Sequence, residues 1–331
     1  MLSVVIPLYN CVEYIERCIQ SVYKQGMDES DFEIVVVNDG STDGGEKLVE
    51  DLMRQYGNIY LVAHQENKGL PAARNTGIAA SHGKYLQFLD ADDYLAEGYI
   101  GRLLRIAIDD DLEIITFASK QVYDDKPEAD TVQEEETVSP LMTGIEAEEQ
   151  GLLSTAWFYL LKRELIDRFD LRFPEQLRYG EDTPFLIEIF YHATRVKMTN
   201  YLAHRYQMRQ SSMCRTDDPA RKLQRIRGYK EAMVFLNDTN ERYKDRSRSG
   251  YEMMRQLINL HIFFYLYGTL TVNISTKELK DSISELKGCG LYPVGTFERL
   301  GYKGVKHSLL RWLANSRCLF LLTHRIIHAI R

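Results

Sequence analysis

The sequence predicts an α/β protein that begins with a doubly wound, mainly parallel sheet flanked by helices. Residues 2–7 and 32–37 are continuous apolar runs rich in β-branched side chains, as expected of strands buried on both faces. The segments between the apolar runs have helical periodicity instead. Strands that alternate with helices in this way form a parallel sheet.

Five strands and four intervening helices are predicted over the first 120 residues. The strands cover residues 2–7, 32–37, 59–63, 85–89 and 113–117. Asn10 is predicted to cap the first helix, with Glu13 three residues later completing a pair that resembles a capping box. Ser41 or Thr42 is predicted to cap the second helix, and Pro71 to open the third.

The rest of the chain changes character twice. Residues 124–140 are acidic and poor in large apolar side chains, which predicts a solvated loop. A strand or a short helix pair follows at 157–169, a helix at 183–192, and a nearly all-helical pattern after Pro219. Polar residues interrupt the apolar segment Leu257–Ile274, so we interpret it as a buried, aromatic-rich helix rather than a membrane span.

Composition narrows the class of protein. Hydrophobic residues make up 44% of the chain and charged residues 27%, as in ordinary globular proteins. A net charge of −7 argues against a nucleic-acid partner. The five cysteines are scattered without a Cys-x-x-Cys spacing, which argues against a zinc cluster or a disulfide framework. We therefore expect a cytoplasmic protein.

The basic end of the chain differs from the acidic remainder. From Arg299 onward there are seven Lys and Arg residues and no Asp or Glu, so this end carries +7 and the remainder −14. On a helical wheel the apolar side holds Trp312, Leu319, Ile326 and Ile330, with Leu309, Phe320 and Ile327 adjoining. The opposite side holds Lys306, Arg311, Arg317, Arg325 and Arg331. This pattern predicts a basic amphipathic helix on an anionic membrane, although a helix packed on the catalytic domain or on a partner subunit would look similar.

Asp39 lies in a turn, residues 38–43, directly after the second predicted strand. Open parallel sheets bind ligands at the carboxyl ends of their strands. A carboxylate there would accept an N–H from a base such as uracil. The alternative is a plain turn in which Gly40 supplies the tight backbone conformation.

Asp90 and Asp92 follow the fourth predicted strand and are two residues apart. In extended backbone both side chains point the same way, so both would reach one Mg²⁺ or Mn²⁺. Such cations take few protein carboxylates and complete their shell with phosphate oxygens and water. Asp93 is expected to face away or to cap the helix near Ala96, and a solvated acidic turn is the alternative for the whole segment.

A second acidic pair, Glu181 and Asp182, comes directly before a predicted helix. A carboxylate at that position is often only a helix cap. If the chain transfers sugars, one of the two acids is the general base for the acceptor hydroxyl. Arg209, further along the chain, would bind a diphosphate through both guanidinium arms, or would be an ordinary surface residue.

Taken in order, these motifs resemble those of family 2 glycosyltransferases, which have the GT-A fold. The matching segments are residues 3–10, 37–43, 67–77, 89–93, Trp157, 179–185 and 206–209. The resemblance runs from residue 2 to about residue 213, and the ordered set is far more specific than any single motif. One departure is that Gln207 and Met208 precede Arg209, where the family often has a second aromatic residue and a Tyr or His.

The resemblance implies an inverting transferase that uses a nucleotide-diphosphate sugar. By carry-over Asp39 recognises the base, expected to be uracil, while Pro7 and Tyr9 line the nucleotide pocket and Arg74 lies near it. Asp90 and Asp92 would hold the ribose and a Mg²⁺ or Mn²⁺ on the diphosphate. Asp182 would be the base with Glu181 beside it, and Arg209 would stabilise the leaving diphosphate.

The expected organisation has three parts. Residues 1–120 form the nucleotide-sugar-binding half of the GT-A domain, and residues 121–215 form the acceptor-binding and catalytic half. Residues 216–331 form a helical region ending in the basic amphipathic helix. The acceptor is expected to be a hydroxyl of a glycan or of a lipid-linked acceptor in surface polysaccharide synthesis, reached from the inner face of the cell membrane.

Two other functions fit part of the pattern. A sugar-nucleotide pyrophosphorylase would share the fold but should have a Gly-rich loop after the first strand, and residues 7–10 offer none. A catalytically silent nucleotide-sugar-binding module would keep Asp39 and would be able to lose acids elsewhere. The presence of Asp90, Asp92 and Asp182 together favours activity. A P-loop nucleotidase is excluded because its phosphate-binding motif is missing.

Overall fold

The structure is a computed structural model that describes residues 1–123, 135–151, 155–208, 218–297 and 304–330. The chain forms two compact units. The first comprises residues 1–178 and 185–209, and the second comprises residues 179–184 and 210–331. The expected three-part division at residues 120 and 215 stays a prediction.

Ten strands lie in the described residues of the first unit. They are β1 (Leu2–Leu8), β2 (Phe32–Asn38), β3 (Ile59–Ala63), β4 (Tyr85–Phe88), β5 (Tyr94–Leu95), β6 (Ile114–Thr116), β7 (Ala118–Val122), β8 (Tyr159–Lys162), β9 (Val196–Lys197) and β10 (Leu202–Gln207). The helices that accompany them are α1 (Val12–Tyr23), α2 (Gly45–Met53), α3 (Leu70–Ala80), α4 (Tyr99–Asp109), α5 (Gly144–Glu149), α6 (Arg163–Arg168) and α7 (Asp182–His192). The first three residues of α7 belong to the second unit. Short 3₁₀ turns precede β2 and β8.

The main sheet has seven strands in the order β3-β2-β1-β4-β8-β6-β9. Strands β1 to β4 are mutually parallel, whereas β8 runs antiparallel to both β4 and β6. The prediction of a mixed, mainly parallel α/β sheet is therefore confirmed. The fifth predicted strand is present as β6, but it does not pair with β4, because β8 from much later in the chain lies between them.

Helices cover both faces of this sheet. Alternate residues of β1 (Leu2, Val4, Ile6 and Leu8) pack with α1, α2 and α4 on one face, whereas Val5 packs with α3, α6 and α7 on the other. This alternation follows from strand geometry, in which successive side chains point to opposite faces. Burial of β1 and β2 along their whole length explains why both read as unbroken apolar runs.

A smaller sheet of three strands, in the order β5-β10-β7, completes the first unit. Strand β10 pairs antiparallel with β5 and parallel with β7. Because β5 comes two residues after Asp92, this sheet ties the Asp90–Asp92 segment to the later part of the unit.

The side chain that bonds to the N-terminus of α1 is not the one predicted. Asn10 adopts a left-handed conformation with φ 49°, and the residue at the N-cap position is Cys11, whose side chain makes no capping bond. The Val12 N–H instead donates to Asp43 Oδ2 at 2.8 Å. The capping prediction for Asn10 is therefore wrong, because the carboxylate that satisfies this helix end comes from another loop.

The second unit is helical. Its helices are α8 (Pro219–Tyr243), α9 (Arg248–Thr269), α10 (Thr276–Gly288), α11 (Val305–Asn315) and α12 (Arg317–Ile330). Helix α9 buries Ile258, Phe263 and Leu266, as predicted for an aromatic-rich buried helix, although it ends five residues before Ile274. Among the helices described, none combines the length and the apolar character needed to cross a bilayer.

The basic end forms two helices, and the prediction of one continuous helix is wrong. Helix α11 ends at Asn315 and α12 begins at Arg317. Phe320, expected beside the outer apolar residues, is only 2% exposed. A helical wheel drawn across the break at Ser316 cannot place the two parts correctly, because the helix axis does not continue through it.

Candidate active site

The carboxyl ends of β1, β2, β3 and β4 lie side by side at one edge of the main sheet, because these four strands are parallel neighbours. Pro7 is buried in β1, and Tyr9, just beyond the strand, is 49% exposed. Asp39 follows β2, and Asp90 follows β4. The structure thus brings these four predicted residues to the same edge, where parallel sheets bind ligands.

The loops after β1 and β2 are hydrogen-bonded to each other. The Asn10 N–H donates to Ser41 Oγ at 3.2 Å, and the Thr42 N–H donates to Asn10 Oδ1 at 2.9 Å. Asp43 adds its bond to the start of α1 described above. The prediction that Ser41 or Thr42 caps α2 is therefore wrong, because α2 begins after Gly44 without a side-chain cap. Ser41 and Thr42 instead hold the segment that carries Tyr9.

The carboxylate of Asp39 is buried and surrounded by donors. The N–H groups of Lys68 and Gly69 donate to Oδ1 at 2.9 Å and to Oδ2 at 2.8 Å. His64 Nδ1 lies 2.7 Å from Oδ1. Gly40 has φ 74°, and a Cβ there would lie 3.0 Å from the Asn67 nitrogen, so glycine is required where the two loops approach.

Arg74 is buried beneath Asp90. Its side chain is 1% exposed, and its guanidinium donates to Asp90 Oδ1 at 3.0 Å and lies 5.2 Å from the ring centroid of Phe173. The Asp90 side chain is 26% exposed, so Arg74 holds it without removing it from solvent. Arg74 therefore acts on the site through Asp90.

The turn at Asp92 is fixed from α1. Arg17 lies 4.4 Å from the ring centroid of Tyr94, donates to Gln207 Oε1 at 2.8 Å and lies 3.5 Å from the Asp92 carbonyl oxygen. The same turn is closed by the Asp93 N–H, which donates to the Asp90 carbonyl at 3.0 Å. Sequence reasoning missed Arg17, because its position in α1 gives no sign of a contact with residues so far along the chain.

Asp93 is a buried residue that binds the backbone of β10, and it does not cap a helix. It is 1% exposed, and its Oδ1 accepts the Gln207 N–H at 2.8 Å. The helix that follows begins at Tyr99 with Gly98 at its N-cap, so the capping alternative for Asp93 is wrong. Strand β10 carries Gln207, and this contact therefore joins the acidic turn to the smaller sheet.

His204 lies beside Asp93 in the interior. Its Nε2 is 3.2 Å from Asp93 Oδ2, the Ser119 hydroxyl lies 2.9 Å from its Nδ1, and its ring stacks on Trp157 with centroids 4.1 Å apart. Burial lowers the pKa of His204 to about 3. The imidazole is therefore neutral at ordinary pH and supports the turn without adding charge to it.

The other predicted residues lie elsewhere in the chain. Asp182 is the first residue of α7, and Glu181, just before it, is 7% exposed. In the second unit, which includes residues 179–184, a Cβ added at Gly180 would lie 3.2 Å from Ala232 and 3.3 Å from Tyr229. The turn before α7 therefore packs closely on α8. Arg209 lies outside the described residues.

The carboxylates at the strand edge can supply only a few of the ligands of a hard cation. Within the described ranges, no three His, Cys, Asp or Glu side chains form a cluster that could hold a metal ion. Asp90 and Asp92 nevertheless offer carboxylate oxygens on one short turn. Mg²⁺ and Mn²⁺ need only one or two such groups when diphosphate oxygens and water supply the rest. The residues present fit that kind of site.

Comparison with known proteins agrees with this geometry. Residues 3–169 match the family model described as glycosyl transferase family 2. An uncharacterized glycosyltransferase of Bacillus subtilis, EpsJ, is 36% identical over 218 residues, which cover 64% of this chain and 62% of EpsJ. The minor teichoic acid biosynthesis protein GgaB of the same organism is 25% identical over 63% of this chain and 23% of GgaB. The chain therefore spans less than two thirds of either relative.

Solved structures share the fold. S. aureus TarS aligns with 98% of this chain and 55% of its own, at a TM-score of 0.73 and 17% identity. TarS residues 1–349 in complex with UDP-GlcNAc align with a TM-score of 0.59 at 18% identity, covering 98% of this chain and 90% of that one. The mannosyltransferase PcManGT of Pyrobaculum calidifontis, in complex with GDP-Man and Mn²⁺, aligns with a TM-score of 0.55 at 15% identity, covering 98% and 86%.

These likenesses confirm the expected GT-A fold. The family model covers half of the chain, and the strand-end residues that the family motifs predict lie at one edge of the sheet. The chain belongs to glycosyl transferase family 2.

Proposed function

We propose that this protein transfers a sugar, with inversion, from a UDP-sugar to a hydroxyl of a glycan or lipid-linked acceptor. The observation that carries the proposal is the shared sheet edge, where the Asp39 carboxylate lies on one side of β1 and the Asp90–Asp92 turn on the other. A nucleotide laid along this edge would place its base at Asp39 and its diphosphate at the acidic turn. The named ligands UDP-GlcNAc of TarS and GDP-Man of PcManGT support a nucleotide-diphosphate donor.

Each residue at the edge has a separate task in donor binding. The half-exposed ring of Tyr9 would stack on the base, beside Pro7, while Asp39 accepts a base N–H. Asp90, held by Arg74, would accept the ribose hydroxyls. Because Asp39 and Asp90 are held by buried partners before the ligand arrives, these two side chains need little ordering on binding.

Asp92, with Asp90, would hold Mg²⁺ or Mn²⁺ against the diphosphate. When bound, the cation supplies positive charge to the departing diphosphate, which lowers the barrier to its departure. PcManGT was solved with Mn²⁺, which supports this assignment. Arg209 would add a second positive charge at the same group.

The transfer itself is a single displacement. The acceptor hydroxyl oxygen attacks the anomeric carbon from the face opposite the diphosphate, and the new C–O bond forms as the bond to the diphosphate oxygen breaks. Asp182 takes the hydroxyl proton during attack, with Glu181 beside it, and UDP leaves with the bonding electron pair. Attack from the opposite face inverts the configuration at the anomeric carbon.

The acceptor class is proposed from a relative and from the basic end of the chain. GgaB is named for teichoic acid biosynthesis, which supports a role in surface polysaccharide synthesis. A lipid-linked acceptor would be met at the inner face of the cell membrane, where the basic end of the chain would contact anionic lipids.

Helices α11 and α12 each carry exposed apolar residues on one side. Leu309 and Trp312 are 60% and 57% exposed, and Leu319, Leu322 and Ile326 are 42%, 53% and 50% exposed. The last three are spaced at i, i+3 and i+7 and share one face, while Phe320 and His324 are buried. With seven basic and no acidic residues from Arg299 onward, these side chains suit peripheral contact with an anionic membrane.

The catalytic assignment is tested by Asp182→Asn, with Asp170→Asn, an exposed carboxylate, as the matched control. We expect Asp182→Asn to bind UDP as the wild type does while losing at least 100-fold in transfer, the usual contribution of a general base. Full turnover by Asp182→Asn would eliminate it as the base.

The cation assignment is tested by Asp92→Ala, with Asp51→Ala in α2 as the control. Calorimetry of UDP with and without Mn²⁺ should show that Mn²⁺ strengthens binding to the wild type and to the control but not to Asp92→Ala. An equal Mn²⁺ effect on all three proteins would count against the role of Asp92.

Membrane contact is better tested by substitution than by truncation, because Ala314 and Phe320 are buried and removal of α11 and α12 would uncover apolar residues. Leu319→Ser combined with Leu322→Ser and Ile326→Ser should abolish flotation with anionic vesicles and leave transfer to a soluble acceptor unchanged. A triple variant of other exposed apolar residues, Met53, Tyr60 and Ile108, is the control. Equal flotation of both variants would show that α12 does not bind the membrane.

A further inference from the structure

His64 is buried between the carboxylate of Asp39 and the hydroxyl of Thr76. Its Nδ1 lies 2.7 Å from Asp39 Oδ1, and its Nε2 lies 2.9 Å from Thr76 Oγ1. The side chains of His64 and Asp39 are only 6% and 4% exposed. The imidazole is the first side chain beyond β3, so it belongs to the same strand edge as the rest of the site.

The contact with Asp39 determines which ring nitrogen of His64 carries the hydrogen. An ionised carboxylate only accepts hydrogen bonds, so Nδ1 must carry a hydrogen and donate it to Oδ1. The hydroxyl of Thr76, which lies in α3, is then the hydrogen-bond partner of the second ring nitrogen, Nε2. Because both nitrogens are bonded, the ring cannot turn away from Asp39 without breaking two buried hydrogen bonds.

These contacts leave Asp39 with little capacity to accept more. A carboxylate has about four lone-pair positions, two on each oxygen. Within the described part of the chain, Oδ1 accepts from His64 and from the Lys68 N–H, and Oδ2 accepts from the Gly69 N–H. One position on Oδ2 remains, and Asp39 therefore has room for a single further donor.

We propose that His64 is a positioning residue that makes Asp39 select uracil over guanine. The inference rests on the proposed role of Asp39 as the group that contacts the base. Uracil offers one imide N–H flanked by two carbonyl oxygens, which matches one open position. Guanine offers two neighbouring N–H donors, which pair best with both oxygens of a carboxylate, and Oδ1 is already occupied by His64.

The expected size of the discrimination follows from the unpaired donor. Leaving a buried donor without a partner costs about 1–3 kcal/mol, which corresponds to roughly 5- to 150-fold in affinity. Cytosine is disfavoured for a different reason, because its ring N3 is an acceptor and would face the carboxylate directly.

The experiment is calorimetric titration of UDP and GDP into the whole chain and three variants. His64→Ala removes the donor to Oδ1 and opens space beside it. His64→Asn keeps a side-chain N–H close to the place of Nδ1. His82→Ala is the matched control, because His82 also contacts a carboxylate, Glu33 Oε2 at 3.2 Å, but is 73% exposed and precedes β4 at the opposite edge of the sheet.

We expect the wild type and His82→Ala to bind UDP at least 10-fold tighter than GDP. His64→Ala should reduce this ratio at least 5-fold, and His64→Asn should keep it within about 2-fold of the wild type. A merely structural role would weaken both nucleotides together and leave the ratio unchanged. If His64→Ala does not fold by circular dichroism, Thr76→Val, which frees one side of the ring, should shift the ratio in the same direction by a smaller factor.

If His64→Ala, or Thr76→Val where His64→Ala does not fold, binds both nucleotides with an unchanged ratio, the inference is overturned and the proposed function still stands. Tighter binding of GDP than of UDP by the wild type would also overturn it. No binding of either nucleotide by the wild type would overturn the proposed function itself, and the inference with it.

Discussion

Asn75 holds the backbone of Phe173 through both polar atoms of its side chain. Its Nδ2 donates to the Phe173 carbonyl oxygen at 2.9 Å, and its Oδ1 accepts the Phe173 N–H at 2.9 Å. The ring fixed in this way lies against the guanidinium of Arg74, which bonds to Asp90. Adjacent residues of α3 therefore support one carboxylate, Arg74 directly and Asn75 through Phe173.

Asn75→Ala should lower the free energy of unfolding by about 2 kcal/mol, because it removes two partly buried hydrogen bonds. Asn200→Ala is the matched control. Asn200 also accepts a backbone N–H, that of Thr137 at 2.8 Å, and donates to a backbone carbonyl, that of Glu135 at 2.9 Å, but these two hydrogen bonds are exposed to solvent. Urea unfolding measures the free energy of unfolding of each variant. An equal cost for the two variants would mean that the contact with Phe173 has no special weight.

The ion pair of Arg74 and Asp90 should show a measurable coupling energy. Arg74 is buried and Asp90 partly so, which reduces screening of the pair by water. A double-mutant cycle with Arg74→Met and Asp90→Asn should give about 1–3 kcal/mol in unfolding free energy. The cycle removes the other contacts of each residue from the result. A coupling energy below about 0.3 kcal/mol would show that the two side chains do not support each other.

Much of the fold could be predicted because local patterns determine it. The strand predicted at 59–63 is β3 with the same bounds, and the strand and helix starts nearby differ by one or two residues. Strand β8 could not be predicted with its place in the sheet, because its partners lie about 45 and 75 residues away along the chain. Periodicity reports which residues are buried, but not which strands are neighbours.

The site residues that could be predicted are likewise those that a local sequence pattern identifies. Asp39, Asp90 and Asp92 stand at strand ends, which local sequence identifies, and the structure places them at one edge. His64 also follows a strand end and could have been identified by the same argument applied to β3. Asp93 and Arg17 could not, because their partners in β10 are known only once the smaller sheet forms.

The stability of the first unit should fall as the solution becomes acidic, because of His204. Its pKa is about 3 in the folded protein and 6.5 in the unfolded chain, so below pH 6.5 only the unfolded chain takes up the proton. The loss should be about 1.4 kcal/mol per pH unit between pH 6 and 3 from this group. Trp157 stacks on His204, and Trp312→Phe leaves Trp157 as the only tryptophan whose fluorescence follows unfolding.

His204→Phe, made in the same Trp312→Phe background, keeps a ring against Trp157 and removes the titration. Its unfolding free energy should depend less on pH over the acid range, by about one proton in the slope. Identical slopes for the two proteins would show that His204 is not the group responsible for the acid sensitivity.

Glu148 should have the opposite effect to His204 and lower the stability of the protein as pH rises. It lies in α5, is 9% exposed, and burial, with a smaller effect of Glu149, raises its pKa to about 8. The unfolded chain releases this proton near pH 4.5, so between pH 4.5 and 8 the folded protein holds one proton more. The stabilising contribution of the protonated carboxyl is therefore present below pH 4.5 and is lost as pH rises toward 8.

Glu148→Gln cannot titrate and should escape this loss. Relative to the variant, the wild type should lose about 1.4 kcal/mol per pH unit between pH 5 and 8 in urea unfolding. Glu149→Gln, at the exposed neighbouring position, is the control and should follow the wild type. If the difference between wild type and Glu148→Gln stays constant from pH 5 to 8, the carboxyl of Glu148 is already ionised in the folded protein.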